Sequence, residues 1–559
     1  MAAGRPVTDA RRSWRLPLLF ALLALLTRLP FLLRGDAFFN SDEAVEGLMA
    51  RHIREWPVFF WGQNYKGIPE VYVASAVFAV VGAGVVPLKA VTLGIWVLAV
   101  AVTTKVGQWW YGKIAGALTG AFLATGPPGL VYWSLCANAE VALLTLLIAA
   151  ALLGHERATR THDPRWNAVV FVCCGAALWI HPIAICAVVA LALVAALRSR
   201  WWSDHGWRGL VRLACGRDLA GARRVAMVSV HVIVLVTAAI FLSGFLGWRI
   251  RFGFFTTAHP QKVFRIAVVL AGIAVGVHAL RGAIVPRRRA VTALAWFGLG
   301  LLPVWLFIAR GGVPGAAIAN RRITDMPRLF NLLVRDALPV AIGLRDTYTT
   351  PVAPWWLTGA FVVALAVFVV SSCRRCWRAP ARRACPPSQA LAMFTALALL
   401  LMLLPGGMLL DVASYRYVMP FFGLAALSAA GGIQVIATRT RVGATVLAAL
   451  ALAGFLLGEY RWYGRLRPEV SDRQIIDCLD QHDLHAATAD YWIAYRLTFL
   501  SDERLIVAPD ASPDRYAPYD VAVREAPQRV HIDPATAAPP AGFRMICSSA
   551  LLQASVAGR

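Results

Sequence analysis

The chain has 559 residues, 59% of them hydrophobic and only 15% charged, with a net charge of +25 and a mean hydropathy of +0.62. Soluble globular chains are about half apolar and about a quarter charged, so the composition excludes that class and indicates a polytopic helical membrane protein. The positive charge is no nucleic-acid footprint: seven arginines between positions 198 and 224, four between 281 and 289 and five between 374 and 383 separate apolar runs, as cytoplasmic loops require.

In chain order, the first apolar run covers about 16–33. It follows Arg11, Arg12 and Arg15 and has no small-residue cleavage site, so it reads as a retained helix running outward. A long outer loop, about 34–87, comes next. It opens with Phe39-Asn40-Ser41-Asp42-Glu43-Ala44. Two adjacent carboxylates at the mouth of a membrane helix are costly near hydrocarbon, which favours a functional pair over solvated loop acids. An apolar stretch at 68–82 in this loop is expected to lie along the membrane or dip into it. Further helices are expected near 88–106, 114–133, 140–154, 167–181, 183–197, 225–246, 263–280 and 290–308. After a long outer loop at 309–354 come helices near 355–372, 388–405, 417–437 and 442–458. The expected count is thirteen, within a range of 11–14, in a bacterial inner membrane. The N-terminus is expected in the cytoplasm and the C-terminus outside.

Beyond Glu459 the long apolar runs stop, and fourteen of the thirty acidic residues lie from there to the end. A helix at 475–479 and strands at 486–489, 504–507 and 520–523 predict a small α/β domain. The fold expected is therefore an all-α polytopic membrane domain, 1–458, followed by an extracytoplasmic α/β domain, 459–559. Of ten cysteines, Cys373-x2-Cys376 with Cys385 lacks a second pair of metal ligands, so no metal is assigned. Cys478 and Cys547 share the outer tail, where they form either a disulfide or two buried thiols.

Only nine acids lie between Val71 and Gly458. Glu156, Asp163, Asp204 and Asp218 fall in inner loops. Glu140, Asp325, Asp336, Asp346 and Asp411 fall on the outer side, and the first loop adds Asp36, Asp42, Glu43, Glu46, Glu55 and Glu70. No predicted helix centre carries a carboxylate, which disfavours an ion-coupled carrier. The outer loop 309–354 breaks the charge rule with Arg310, Arg321, Arg322, Arg328, Arg335 and Arg345. These either bind a phosphate or pair with Asp325, Asp336, Asp346 or anionic lipid. Arg416, in Ser414-Tyr415-Arg416-Tyr417, is the sharper phosphate candidate, with pairing to Asp411 as its alternative. Glu70 reads as a site acid or a helix-start acid, and His181 as a hydrogen-bonded histidine at a helix end.

The arrangement resembles the GT-C membrane glycosyltransferases, close to the group of protein O-mannosyltransferases and lipid A aminoarabinose transferase. The resemblance covers about 16–458. It rests on Ser41-Asp42-Glu43-Ala44, the loop Phe59-Phe60-Trp61-Gly62-Gln63-Asn64-Tyr65-Lys66-Gly67, Glu70, the stretch 134–140, and Arg416-Tyr417-Val418-Met419-Pro420. It implies a polyprenyl-phosphate sugar as donor and a glycan, lipid or protein hydroxyl as acceptor, met outside the cytoplasm in contact with membrane lipid and without nucleic acid. Asp42 matches the position of the base, with Glu43 orienting it or binding the sugar. Lys66, Glu70, Glu140, Asp411, Arg416 and Tyr417 are the implied substrate-binding residues. The group has a lysine directly before two prolines; here the sequence is Lys66-Gly67-Ile68-Pro69, so a phosphate role for Lys66 is not carried over cleanly. No cofactor is assigned and a divalent cation is left open. The segment Thr488-Ala489-Asp490-Tyr491-Trp492-Ile493-Ala494-Tyr495-Arg496 resembles tails of bacterial members but supplies no activity. The alternative functions are a lipid or glycan transporter and a non-catalytic scaffold.

Overall fold

Most of the apolar runs become helices, because a backbone in hydrocarbon must satisfy its own hydrogen bonds. The computed structural model describes residues 13–138, 140–197, 208, 212, 221–248, 251–252, 255–256, 286–315, 321–378, 387–467, 470–511 and 513–557. Helix α1 (Arg15–Leu33) leads into α2 (Ser41–Arg51), the hairpin β1 (Phe59–Phe60) and β2 (Gln63–Gly67), and α3 (Pro69–Val81). Then follow α4 (Val85–Tyr111), α5 (Lys113–Thr125), α6 (Pro128–Trp133), α7 (Ala142–Thr161), α8 (Arg165–Ile180), α9 (Ile185–Leu197) and α10 (Gly221–Phe245). The bent pair α11 (Arg287–Gly300) and α12 (Leu302–Ala309) turns by 69°. Helices α13 (Trp355–Arg378), α14 (Pro387–Leu403), α15 (Phe422–Ala437) and α16 (Arg441–Tyr463) complete the apolar part.

Among the described residues six helices are long and apolar enough to span a membrane, seven if the bent pair is one span. Apolar helices of 10–17 residues, such as Lys113–Thr125, Arg165–Ile180, Pro182–Ala196 and Gln389–Leu403, occupy the other expected positions. They fall short of the roughly 20 residues a perpendicular crossing needs. The expected helix at 263–280 and Arg198, Arg200, Arg217 and Arg281 of the arginine clusters lie outside the described residues. The stretch 68–82 is the helix α3, and the loop at 309–354 carries short helical turns between Met326 and Ala341.

Helix α1 shows how the apolar part is sorted. Leu18, Leu22, Leu26, Leu29 and Leu33 form one exposed stripe, the face for lipid. Ala21, Ala24 and Arg28 face inward. Arg28 is fully buried and donates to the Leu123 carbonyl at 2.9 Å, to the Ala124 carbonyl and to Ser134. A guanidinium is tolerated there because it satisfies backbone carbonyls left free at the end of α5, where Pro127 and Pro128 stop the helix.

Beyond Tyr463 the chain forms α17 (Ser471–Gln481), β3 (Ala486–Ala489), α18 (Tyr491–Leu500), β4 (Ile506–Pro509), α19 (Ala517–Glu525), β5 (Val530–Pro534), β6 (Phe543–Ser548) and β7 (Leu552–Ala557). The sheet order is β4-β3-β5-β7-β6, with β3 parallel to β4 and β5 and the other pairs antiparallel. The strand expected at 520–523 is instead part of α19: Pro518 in its first turn starts the helix, and two valines two apart do not distinguish a strand from one short apolar helix face. Cys478 and Cys547 are disulfide-bonded and tie α17 to β6.

Candidate functional site

The site is built on α2. Asn40 caps it, accepting from the Glu43 backbone at 3.0 Å, and its amide donates to the Tyr132 hydroxyl at 2.7 Å. The cap places Asp42 and Glu43 in the first helical turn, where the helix dipole favours anions. The helical period then parts them. Asp42 and Glu46, four residues apart, share a face, and Glu43 points elsewhere.

Glu43 is fully buried. It holds Lys89 of α4 at 2.6 Å and accepts from the Ala137 backbone at 3.0 Å. Held this way, it braces α2 against α4. Its burial pushes its carboxyl upward, and Lys89 opposes that shift.

Glu46 holds Lys66 of β2 at 2.9 Å, and both are buried. Lys66 also lies 4.0 Å from the Phe60 ring centre. Burial alone would lower the Lys66 ammonium; Glu46, Glu140 and Asp42 more than offset it and hold it above its ordinary value. Glu46 is pushed up to about 8 by burial, against the pull of Lys66 and with the push of Glu70 and Glu140. Glu70 is buried in the first turn of α3, behind the proline that opens it, and accepts from Thr92. Its place in the first turn is that of a helix-start acid, and its charge pushes on Glu46.

Glu140 reaches the cluster from the turn before α7. Its two oxygens lie 3.8 Å from His181 Nε2 and 4.0 Å from Arg416 Nε. Arg416 donates to the Tyr417 hydroxyl at 3.1 Å, and the Tyr417 ring stacks on His181 at 5.4 Å. The expected Asp411–Arg416 pair does not form. Asp411 is exposed and caps the turn Val412–Tyr417, accepting from the Ser414 backbone at 3.0 Å. Arginines of the 309–354 loop are partly spent locally: Arg345 pairs with Asp336 at 3.2 Å, while Asp346 pairs with Arg465 at 2.9 Å.

Asp42 is the half-exposed acid of the group, and its charge acts on Lys66 and Arg416. Its oxygen Oδ1 accepts from the Tyr491 hydroxyl, at the start of α18. Arg515 donates to that same hydroxyl at 3.4 Å and lies against the rings of Tyr491 and Phe60. Neither Tyr491 nor Arg515 was among the candidates read from the sequence. Both come from the C-terminal region, more than 400 residues along the chain. The one available signal was the resemblance of 488–496 to other tails, which marks the segment without giving it a role.

The structure thus gathers Asp42, Lys66, Glu70, Glu140, Arg416 and Tyr417, and sets Glu43 and Asp411 to the side. A cavity of about 680 Å³, lined by Ser13, Arg15, Gln108 and Lys113, lies at the opposite end of α1 and takes no part.

No protein-family model matches the sequence, and no curated protein matches it. The fold is similar to the oligosaccharyltransferase of Archaeoglobus fulgidus in complex with zinc and sulfate, at 13% identity and TM-score 0.48, over 92% of this chain and 67% of that one. It is also similar to ArnT from Cupriavidus metallidurans in the apo state, at 15% identity and TM-score 0.42, over 97% and 98%. ArnT bound to undecaprenyl phosphate gives 14% identity and TM-score 0.39 over the same shares. Likenesses at these scores carry no argument about what this chain does.

Proposed function

We propose that the chain is an integral-membrane glycosyltransferase that moves a hexosyl or pentosyl group from a polyprenyl-phosphate donor to a hydroxyl acceptor on the extracytoplasmic face. One observation supports this most: Asp42 is the half-buried acid of the cluster, bonded to the Tyr491 hydroxyl, while Glu43, Glu46, Glu70 and Glu140 are buried. Arg416 lies near the start of the apolar segment Val412–Ala437. The motif resemblance around Asp42 and Arg416 points the same way.

In this reading the acceptor hydroxyl gives its proton to Asp42 as its oxygen bonds to the anomeric carbon. The bond from that carbon to the phosphate oxygen breaks, and the lipid phosphate leaves with the electron pair. Arg416, the half-buried cation of the cluster, balances the charge that develops on it. Attack opposite the phosphate inverts the anomeric centre. The segment 459–559 is then an extracytoplasmic domain, and the N-terminus is cytoplasmic.

The test compares envelope glycans and lipid-linked sugars in cells with and without the protein. The expected result is loss of one glycosylated product and a rise in one polyprenyl-phosphate sugar. Unchanged glycans with a lipid-linked sugar confined to the wrong leaflet would instead indicate transport.

A further inference from the structure

Three acids stand on the first two turns of α2, and two of them each hold a lysine. Asp42 makes no ion pair among the described residues. Its partner is a neutral phenol delivered from the far end of the chain. The contact belongs to a line of four side chains. The Gln63 carboxamide, turned so that its oxygen faces the guanidinium, accepts from Arg515 Nη2 at 2.8 Å. Arg515 Nε donates to the Tyr491 oxygen, and the Tyr491 hydroxyl donates to Asp42 Oδ1. Arg515 donates to both of its neighbours, to Gln63 on one side and to Tyr491 on the other, and Tyr491 passes the donation on to Asp42. A guanidinium cannot accept, so the tyrosine oxygen takes its proton donor from Arg515 and has only Asp42 to donate to.

The geometry is held from both sides. Asp490 caps α18, accepting from the Trp492 backbone at 2.9 Å, and this sets Tyr491 in the first turn. Gly47 lets α2 and α18 approach: a Cβ there would meet the Phe499 ring at 2.5 Å. Phe39, Ala44, Leu48, Tyr491, Tyr495 and Phe499 form one apolar core across the contact.

We propose that the C-terminal α/β region is part of the active site, with Tyr491 as a positioning residue that fixes the Asp42 carboxylate and Arg515 as the group that fixes Tyr491. The inference rests on the reading of Asp42 as the base. One oxygen of Asp42 is anchored by the phenol, which leaves the other free to take the acceptor's proton.

The test uses the full chain in native membranes, with the envelope acceptor and lipid-linked sugars already present, and follows glycan product per folded molecule beside binding of undecaprenyl phosphate. Tyr491→Phe keeps the ring and its packing and removes the donor. Turnover per folded molecule should fall about tenfold, the scale of a hydrogen bond to a charged group, with lipid-phosphate binding unchanged. Arg515→Gln should lower turnover in the same direction by less, with Tyr491 still in place. A merely structural contact would lower the amount of folded protein without lowering turnover per folded molecule. Unchanged turnover in both variants, at normal thermal stability, would overturn the proposal. If Asp42→Asn itself transfers sugar normally, the base reading has failed; if Asp42→Asn is inactive while Tyr491→Phe is normal, only the positioning role has failed.

Discussion

The segment around α2 meets the rest of the molecule in two ways. Against the membrane helices and the hairpin it is held by Glu43–Lys89 and Glu46–Lys66, buried pairs with no more than 2% exposure on any partner. Against the C-terminal region it is held by Arg51–Asp502, by His52–Glu503 at 2.7 Å, by Tyr516 donating to Glu55 at 2.5 Å, and by Trp61 stacked on Tyr516 at 4.1 Å. Most of these groups are partly or largely exposed. Buried pairs are costly to break from one side, whereas exposed ones contribute little each and respond to salt and pH. The first junction is therefore the costlier one to break, and the second is the one that responds to salt and pH.

The largest effect should come from breaking the first junction. Lys89→Met leaves the buried Glu43 charge without its partner and should destabilise the protein by about 3–5 kcal/mol. A matched Glu43→Gln, Lys89→Met pair should recover most of that loss in a thermal melt. A single variant as stable as the parent would show that this junction is not the rigid one.

Arg416 tests the cation side of the site. Arg416→Lys keeps the charge but loses the fork, so binding of undecaprenyl phosphate to the full chain should weaken about tenfold with the melt unchanged. Asp411→Asn should leave that binding alone, because Asp411 caps a turn and does not pair with Arg416. Equal losses in the two variants would restore the pairing that the sequence suggested.

The smallest effect concerns the second junction. The hydrogen bond to Glu503 raises His52 above its ordinary value despite partial burial, with Glu55 adding to it; Arg51, Asp502, Tyr516 and Tyr519 complete the surroundings. Burial alone would raise Glu503, but hydrogen bonds from His52 and Tyr519 and the charges of His52 and Arg51 bring it below its ordinary value. The His52 contribution is thus full below about pH 6.5 and lost as pH rises through its raised folded value. The Glu503 contribution is present above about pH 4.5 and lost as pH falls through its depressed value. The protection factors of α18 amides, with the intrinsic pH dependence of exchange divided out, should fall on the alkaline side, and His52→Gln should abolish that fall. Protection factors independent of pH in the parent protein would contradict the assignment.

Much of this was legible in the sequence. Apolar runs of sufficient length have to be helices in a membrane, and nearly every one within the described residues is. Asp42 stood out because adjacent acids beside hydrocarbon are costly. The split between Asp42 and Glu43 needs the helix α2, and a sequence reading of 34–87 as an outer loop does not supply it. Asn40 followed by Glu43 three residues on is a helix-start pattern, and the helical period then sends the two acids to different faces. Nearness in sequence offers Asp411 as the alternative partner of Arg416, whereas Glu140 comes to it from another helix end. Tyr491 and Arg515 were beyond reach, since a partner more than 400 residues away is fixed by tertiary docking and leaves no local pattern at Asp42.

The central claim is that Asp42 takes the acceptor's proton. Asp42→Asn keeps the size of the side chain and its ability to accept from Tyr491 but removes the base. Sugar transfer by the full chain in membranes should fall by about 10²-fold or more, while undecaprenyl phosphate binding and thermal stability stay as in the parent. Near-normal transfer by an equally abundant Asp42→Asn protein would contradict the account.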